Sequence, residues 1–119
     1  MVKHEDNDLD AVFAALSHVA RRKTLDTLGR GACSVSELAA PHDMTLAAFM
    51  KHVRALESAG LIACAKGGRT VTCTLSPRPL SRVSVWMSTR ERLWSARLDA
   101  LGRHLYQHAE TSPAQKRRR

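Results

Sequence analysis

Four local signals follow one another between residues 34 and 75, and their order leaves few folds open. Ser34 precedes Glu37 by three positions, the spacing of a capping box in which the hydroxyl takes the Glu37 amide and the carboxylate returns to the Ser34 amide. A short helix over residues 35–40 follows. Pro41 cannot sit inside that helix, so residues 41–44 form a turn. Thr45 is then placed to cap a second helix that runs to Ser58, with Gly60 just past its end. Two segments, residues 61–66 and 69–75, alternate in polarity and carry β-branched residues, with only Gly67 and Gly68 between them, as a type I′ hairpin requires. In that register Ile62, Cys64, Val71, Cys73 and Leu75 share the inner face, while Thr70, Thr72 and Thr74 point outward.

Helices flank this stretch on both sides. Residues 1–8 are polar and acidic and read as a disordered N-terminus. Leu9, Val12, Phe13 and Leu16 then recur at i, i+3, i+4 and i+7, the stripe of an amphipathic helix. Ser17 is placed to cap a second helix, whose Ala20, Leu25 and Leu28 face inward while Arg21, Arg22 and Lys23 stay solvated, until Gly29 and Gly31 stop it. After Pro77 and Pro79 a long final helix runs to about Tyr106, with Leu80, Val83, Met87, Trp94, Leu98, Leu101 and Leu105 close to one face and Trp86 and Leu93 beside it. The chain of 119 residues makes one domain, residues 9–106, followed by a basic tail over residues 107–119. The fold class is mainly α with a small β-hairpin, a winged helix-turn-helix in the order α-α-α-α-β-β-α. The final apolar stripe is too long and wide for so small a domain to bury alone, so a homodimer zipped along the first and last helices is expected.

Charge points to a polyanion. The formal net charge is +8, and between residues 44 and 82 Lys51, Arg54, Lys66, Arg69, Arg78 and Arg82 stand against a single acid, Glu57. Double-stranded DNA is therefore the expected partner. Lys116 to Arg119 supply half of that charge, and such a run is ordinarily a solvated tail rather than a sequence reader. No segment approaches the roughly 18 apolar residues of a membrane span, and no leader pattern opens the chain, which favours a cytoplasmic protein without a membrane partner. Cys33, Cys64 and Cys73 are odd in number and lack CxxC spacing, against both a disulfide framework and a structural zinc site. No carboxylate cluster, Cys-His pair or phosphate-cradling loop suggests an enzyme, and no cofactor is expected.

Three ordered motifs carry a family likeness: Ala15-Leu16-Ser17-His18 with Arg21-Arg22; Ser36-Glu37-Leu38-Ala39; and Lys51-His52-Val53-Arg54-Ala55-Leu56-Glu57 with Ala59-Gly60-Leu61-Ile62. Over roughly residues 9–106 the chain resembles the ArsR-type winged helix-turn-helix regulators. The resemblance implies a dimeric bacterial transcriptional repressor, often acting on its own operon, with the helix after the Pro41 turn in the major groove and the terminal helices forming the dimer. It also marks a departure. Where arsenic-type sensors carry a cysteine-x-cysteine pair, this chain has Ser34 and Ser36, and Cys33 is one residue out of register without a partner. His104 and His108 are spaced i, i+4, but two ligands do not complete a tetrahedral site and Asp99 does not match the family's spacing, so no metal is expected.

The helix beginning after Thr45 has two faces. Phe49, His52, Val53 and Leu56 form the core side; Leu46, Ala47, Met50 and Arg54 form the other, with Lys51 at its edge. The outer face is the expected reader and is unusually apolar for that role: Leu46, Ala47 and Met50 can meet thymine methyl groups, unless Leu46 and Met50 pack on the preceding helix instead. Thr45 and the helix N-terminus are placed for phosphate, as are Lys51 and Arg54. Lys66, Arg69 and Thr70 flank the glycine tip, where a wing reaches the minor groove. The competing reading is a protein-interaction module that touches nucleic acid only through charge. Trp86, Trp94 and Tyr106 are candidate walls of a small-molecule effector pocket between subunits, or dimer core. Cys64 and Cys73 share a face but lie diagonal in the expected register, too far apart for an unstrained disulfide, and core packing accounts for them.

Overall fold

In the computed structural model, which describes residues 2–110, the elements follow in the order α1 (Val2–Leu16), α2 (Val19–Leu28), β1 (Cys33–Ser34), α3 (Val35–Ala39), α4 (Leu46–Ser58), β2 (Ile62–Gly67), β3 (Thr70–Leu75) and α5 (Pro77–Glu110). The expected winged helix-turn-helix forms, with one strand more than anticipated. β1 pairs with β3, giving a three-stranded antiparallel sheet in the order β1-β3-β2. Two residues are too few to show alternation in a sequence. They are recruited because β3 has a second edge whose backbone groups need partners.

Helix ends are set largely by the expected chemistry. The Ser34 capping box closes as expected, with Glu37 N donating to Ser34 Oγ (3.2 Å) and Ser34 N donating to Glu37 Oε1 (3.1 Å). Thr45 caps α4 by accepting from Ala48 N at 3.1 Å. At the other end of α4, Gly60 takes φ +76° and donates to Glu57 O, while Leu61 N reaches back to Leu56 O. This double bond pattern is a Schellman motif, in which a left-handed residue stops the helix and an apolar residue on each side seals it. Leu56 and Leu61 are that apolar pair, and both are fully buried. Pro77 starts α5 and Pro79 lies in its first turn, where a missing N–H costs no helical bond.

Three expectations are corrected. The cap of α2 is His18, whose Nδ1 accepts from Ala20 N at 3.3 Å; Ser17 instead donates to Ala14 O at 2.6 Å and closes α1. Helix α1 begins at Val2, inside the segment 1–8 expected to be disordered. α5 likewise continues past Tyr106 to Glu110, while the rest of the basic tail, residues 111–119, lies outside the described residues.

The hairpin is the third. Gly67 pairs with Thr70, so the two turn residues are Gly68 and Arg69, and only Gly68 has positive φ (+64°). That is the pattern of a type II′ turn, with glycine at the first central position, rather than type I′. The change moves each cross-strand partner by two positions, which preserves the faces: Ile62 and Cys73 are buried, and Thr70, Thr72 and Thr74 are exposed. It also brings Cys64 directly opposite Cys73 instead of diagonal to it.

The core gathers Val12 and Ala15 of α1, Leu25 and Leu28 of α2, Val35 and Leu38 of α3, Phe49, Val53 and Leu56 of α4, and Leu61, Ile62 and Cys73. Leu80 and Val83 at the start of α5 pack against it. Residues 84–110 belong to a separate compact unit and are helical, with Val85, Leu93, Leu98, Leu101 and Leu105 exposed. Among the described residues no helix is long and apolar enough to cross a membrane. Urea unfolding tests this account of the core and its seal. Leu56→Ala should lose about 2–5 kcal/mol, from lost burial and the cavity left behind. Gly60→Ala should lose about 1–2 kcal/mol, from forcing an L-residue into the left-handed region.

Candidate nucleic-acid interface

Because Phe49, Val53 and Leu56 are fixed inward, the opposite side of α4 is presented to solvent. Leu46 is 57% exposed, and Ala47, Lys51 and Arg54 are exposed with it. Met50 is half-buried and packs against the core, so the outer face is not uniform. Packing against the core therefore claims Met50 in part and leaves Leu46 available. Thr45 is exposed and its hydroxyl oxygen is engaged in the cap, while Phe49 N bonds to Thr45 O. The N–H groups of Leu46 and Ala47 remain at the open end of a helix of thirteen residues, where the macrodipole adds positive potential.

The wing stands beside this helix end. Ser34, Val35 and Ser36 at the start of α3, Leu46 and Met50 of α4, and Arg69, Thr70 and Val71 of the hairpin line a shared cleft of about 370 Å³. The structure thus joins four of the expected site residues, Leu46, Met50, Arg69 and Thr70, across 25 positions of sequence or fewer. Ser34 and Ser36 were not expected among them. The capping role of Ser34 was legible, but the closeness of both serines to α4 arises from tertiary packing. Lys66 is exposed on the opposite strand of the hairpin. Among the described residues, Lys51, Arg54, Lys66 and Arg69 form no ion pair with an acidic side chain; the one salt bridge joins Arg82 to Asp8 at 3.4 Å. Four unneutralised cations on α4 and the wing are suited to phosphate.

The other candidate ligand sites are arranged differently. On α5, Trp86 and Trp94 meet edge to face with ring centroids 6.5 Å apart, and the Arg90 guanidinium lies 4.5 Å from the Trp86 ring. A shallow cavity on the same helix, about 520 Å³, is lined by Ser88, Glu91, Arg92, Ser95, Ala96 and Asp99 and by none of the aromatics. His104 and His108 stack at 6.1 Å. Among the described residues no group of three or more His, Cys, Asp or Glu is placed to hold a metal ion.

Comparison with known proteins decides the family. The helix-turn-helix domain family matches residues 16–65. A crystal structure of an ArsR family transcriptional regulator is 41% identical, with a TM-score of 0.72, over 76% of this chain and 93% of that one. The chain belongs to the ArsR family of transcriptional regulators. An ArsR-like transcriptional regulator from Rhodococcus sp. RHA1 is 32% identical, with a TM-score of 0.64, over 82% and 92% of the two chains. The homodimeric winged helix-turn-helix DNA-binding domain of Mb0332 from Mycobacterium bovis shares the fold at 24% identity and a TM-score of 0.58, over 73% and 82%. No curated protein matches the chain. As a member of the ArsR family this is a DNA-binding transcriptional regulator.

Within this ArsR-family chain, one polar contact ties α4 to α2. His52 Nδ1 accepts from Arg21 Nε at 3.2 Å, and the His18 ring lies 4.2 Å away, centroid to centroid. Arg21, expected to be solvated, is half-buried by this contact and also donates to Ala14 O. His52 is the satisfied structural histidine that its inner-face position suggested. The His52 imidazole uses Nδ1 as an acceptor, so this contact requires its neutral ring. Burial, followed by the neighbouring His18, Arg21 and His42, holds the His52 pKa below the ordinary histidine value. A depressed folded pKa means that the unfolded chain binds the proton more readily, so stability is present above the ordinary value near 6.5 and is lost as pH falls. Thermal melts at stepped pH should show the wild type losing stability from about pH 7 to pH 5. His52→Gln, which keeps an acceptor without a titrating ring, should flatten that slope.

Proposed function

We propose that this ArsR-family protein is a dimeric, sequence-specific repressor that lays α4 in the DNA major groove and its wing along the adjacent backbone and minor groove. The observation that carries the reading is the exposed side of α4: an open helix N-terminus, an apolar patch and two cations on one surface, with the wing cations beside it. In this reading the Thr45 hydroxyl and the Leu46 and Ala47 amides bind a phosphate, Lys51 and Arg54 bind further phosphates, and Lys66, Arg69 and Thr70 contact the strand beyond. Leu46, Ala47 and Met50 face base edges. None of these three side chains can donate a hydrogen bond, and the Met50 thioether is only a weak acceptor, so the selectivity they supply comes mainly from contact with thymine methyl groups.

The dimer reading is supported by the helical unit from Ser84. Its exposed Met87 (36%), Trp94 (48%), Leu98 (65%), Leu101 (52%) and Leu105 (57%) recur at helical spacing along one side, an apolar stripe of the kind a partner covers. Homodimerisation through the last and first helices would bury it, and the Mycobacterium bovis relative is described as homodimeric. Two copies of α4 related by a twofold axis read a palindrome.

Selection of bound duplexes from random DNA, followed by affinity measurements across salt concentrations, tests the reading. The expected product is a thymine-containing inverted repeat with half-sites spaced by about one helical turn or a multiple of it. On that site Lys51→Ala and Arg54→Ala should each weaken binding and reduce the salt slope by about 1. Replacing the contacted thymines with deoxyuridine, which removes only the methyl groups, should weaken binding of the wild type and leave Leu46→Ala nearly unaffected. Binding that is salt-labile and enriches no sequence would instead mark an interaction module with nonspecific nucleic-acid affinity.

A further inference from the structure

All three cysteines of the chain fall in one row across the sheet. Cys33 on β1 and Cys64 on β2 are the register partners of Cys73 on β3, one from each side. Directly opposed residues of antiparallel strands place their side chains on the same face. Cys64 Sγ and Cys73 Sγ lie 3.0 Å apart, and both thiols are free. A two-residue hairpin closes on a hydrogen-bonded pair, here Gly67 and Thr70, and the pairs then alternate, which makes Cys64 and Cys73 a non-hydrogen-bonded pair. At such pairs the Cα atoms stand about 4.5 Å apart, inside the range that a disulfide spans.

We infer that Cys64 and Cys73 form a dithiol–disulfide modification site that cross-links the two strands of the wing when the protein meets an oxidant of the peroxide class. The half-buried Cys64 sulfur attacks one peroxide oxygen. An S–O bond forms, the O–O bond breaks, and the departing oxygen leaves as water with the thiol proton. The Cys73 sulfur then attacks the resulting sulfenic sulfur; the S–S bond forms, the S–O bond breaks, and the Cys73 proton leaves with the hydroxyl as a second water. Two thiols are oxidised and one peroxide is reduced to water. A dithiol reductant returns the two electrons and two protons.

The surroundings assign the two roles and set Cys33 apart. Cys73 is fully buried, and burial first, then the adjacent Cys64, pushes its thiol up to about 12, so it keeps its proton until a neighbouring leaving group can take it. Cys64 is the more exposed of the pair and is the one that meets the oxidant. Cys33 is turned to a different partner: its Sγ donates to Glu37 Oε1 at 3.7 Å, and partial burial and that carboxylate both raise its pKa. The cross-link would hold β2 to β3 at mid-strand, between the Ile62–Leu75 pair and the tip that carries Arg69.

Peptide mapping of the native full chain tests the site. After hydrogen peroxide treatment and alkylation of the remaining thiols, trypsin cleavage following Arg30, Lys51, Arg54, Lys66 and Arg69 puts the three cysteines on separate peptides. The expected result is a Cys64 peptide joined to a Cys73 peptide within single chains, lost on treatment with dithiothreitol. The link should persist in Cys33→Ser and vanish in Cys64→Ser. Absence of the link in wild type, a link through Cys33, a link between chains, or a link formed only in denaturant would each overturn the assignment.

Discussion

Burial of one side of α4 is the interaction on which the rest of the molecule depends. Phe49 and Leu56 are wholly shielded from solvent and Val53 nearly so, and α4 packs against α1, α2 and β2 at once. Each such side chain contributes about 1.5–3 kcal/mol by leaving water. Their effect on function is geometric. With three inward positions fixed at helical spacing, the helix cannot rotate, and the exposed positions Leu46, Ala47, Lys51 and Arg54 are fixed with it. The Leu56 and Leu61 seal extends the same constraint to the wing. It turns the chain directly from α4 into β2, so the hairpin emerges beside the helix whose outer face it complements.

Much of this was legible because it is chemistry of short range. The Ser34 box, the Pro41 turn, the Thr45 cap and the Gly60 stop each rest on residues a few positions apart, and the structure has all four. The inner and outer faces of α4 and of the hairpin followed from periodicity. What escaped the sequence involves a partner far along the chain or a choice between near-equal local options. β1 exists only because β3 offers an edge. The turn moved by one residue because Gly67-Gly68-Arg69 can place glycine at the first position of a type II′ turn as readily as it can fill both positions of a type I′ turn. That small choice decided whether Cys64 and Cys73 would be diagonal or opposed. His18 replaced Ser17 as a cap because its ring also packs on His52, a contact made across α2 and α4.

Membership of the ArsR family gives the DNA-binding half of the protein its meaning, and this chain's own residues give that half its character. Ser34 stands where arsenic-type sensors of the family carry a thiolate, and here its hydroxyl and amide are committed to capping α3. The thiols lie instead on the sheet. The exposed side of α4 has no amide or guanidinium at its first two positions, Leu46 and Ala47, and in the proposed reading the site therefore divides into phosphate anchoring by cations and base contact by apolar groups. One polar tie, Arg21 to His52, connects the helix before the motif to the back of α4. Its requirement for a neutral ring makes the seating of α4 sensitive to acid.

The central claim is that the outward side of α4 and the adjacent wing form the surface that meets DNA. Titration of the ¹⁵N-labelled protein with a duplex bearing its selected site, followed by amide chemical shifts, tests it most directly. The largest changes should fall on residues 45–54 and 66–70, with the Leu46 and Ala47 amides, at the open helix end, among the strongest. Changes confined to α5 beyond Ser84 or to residues 111–119, with residues 45–54 unmoved, would contradict the account.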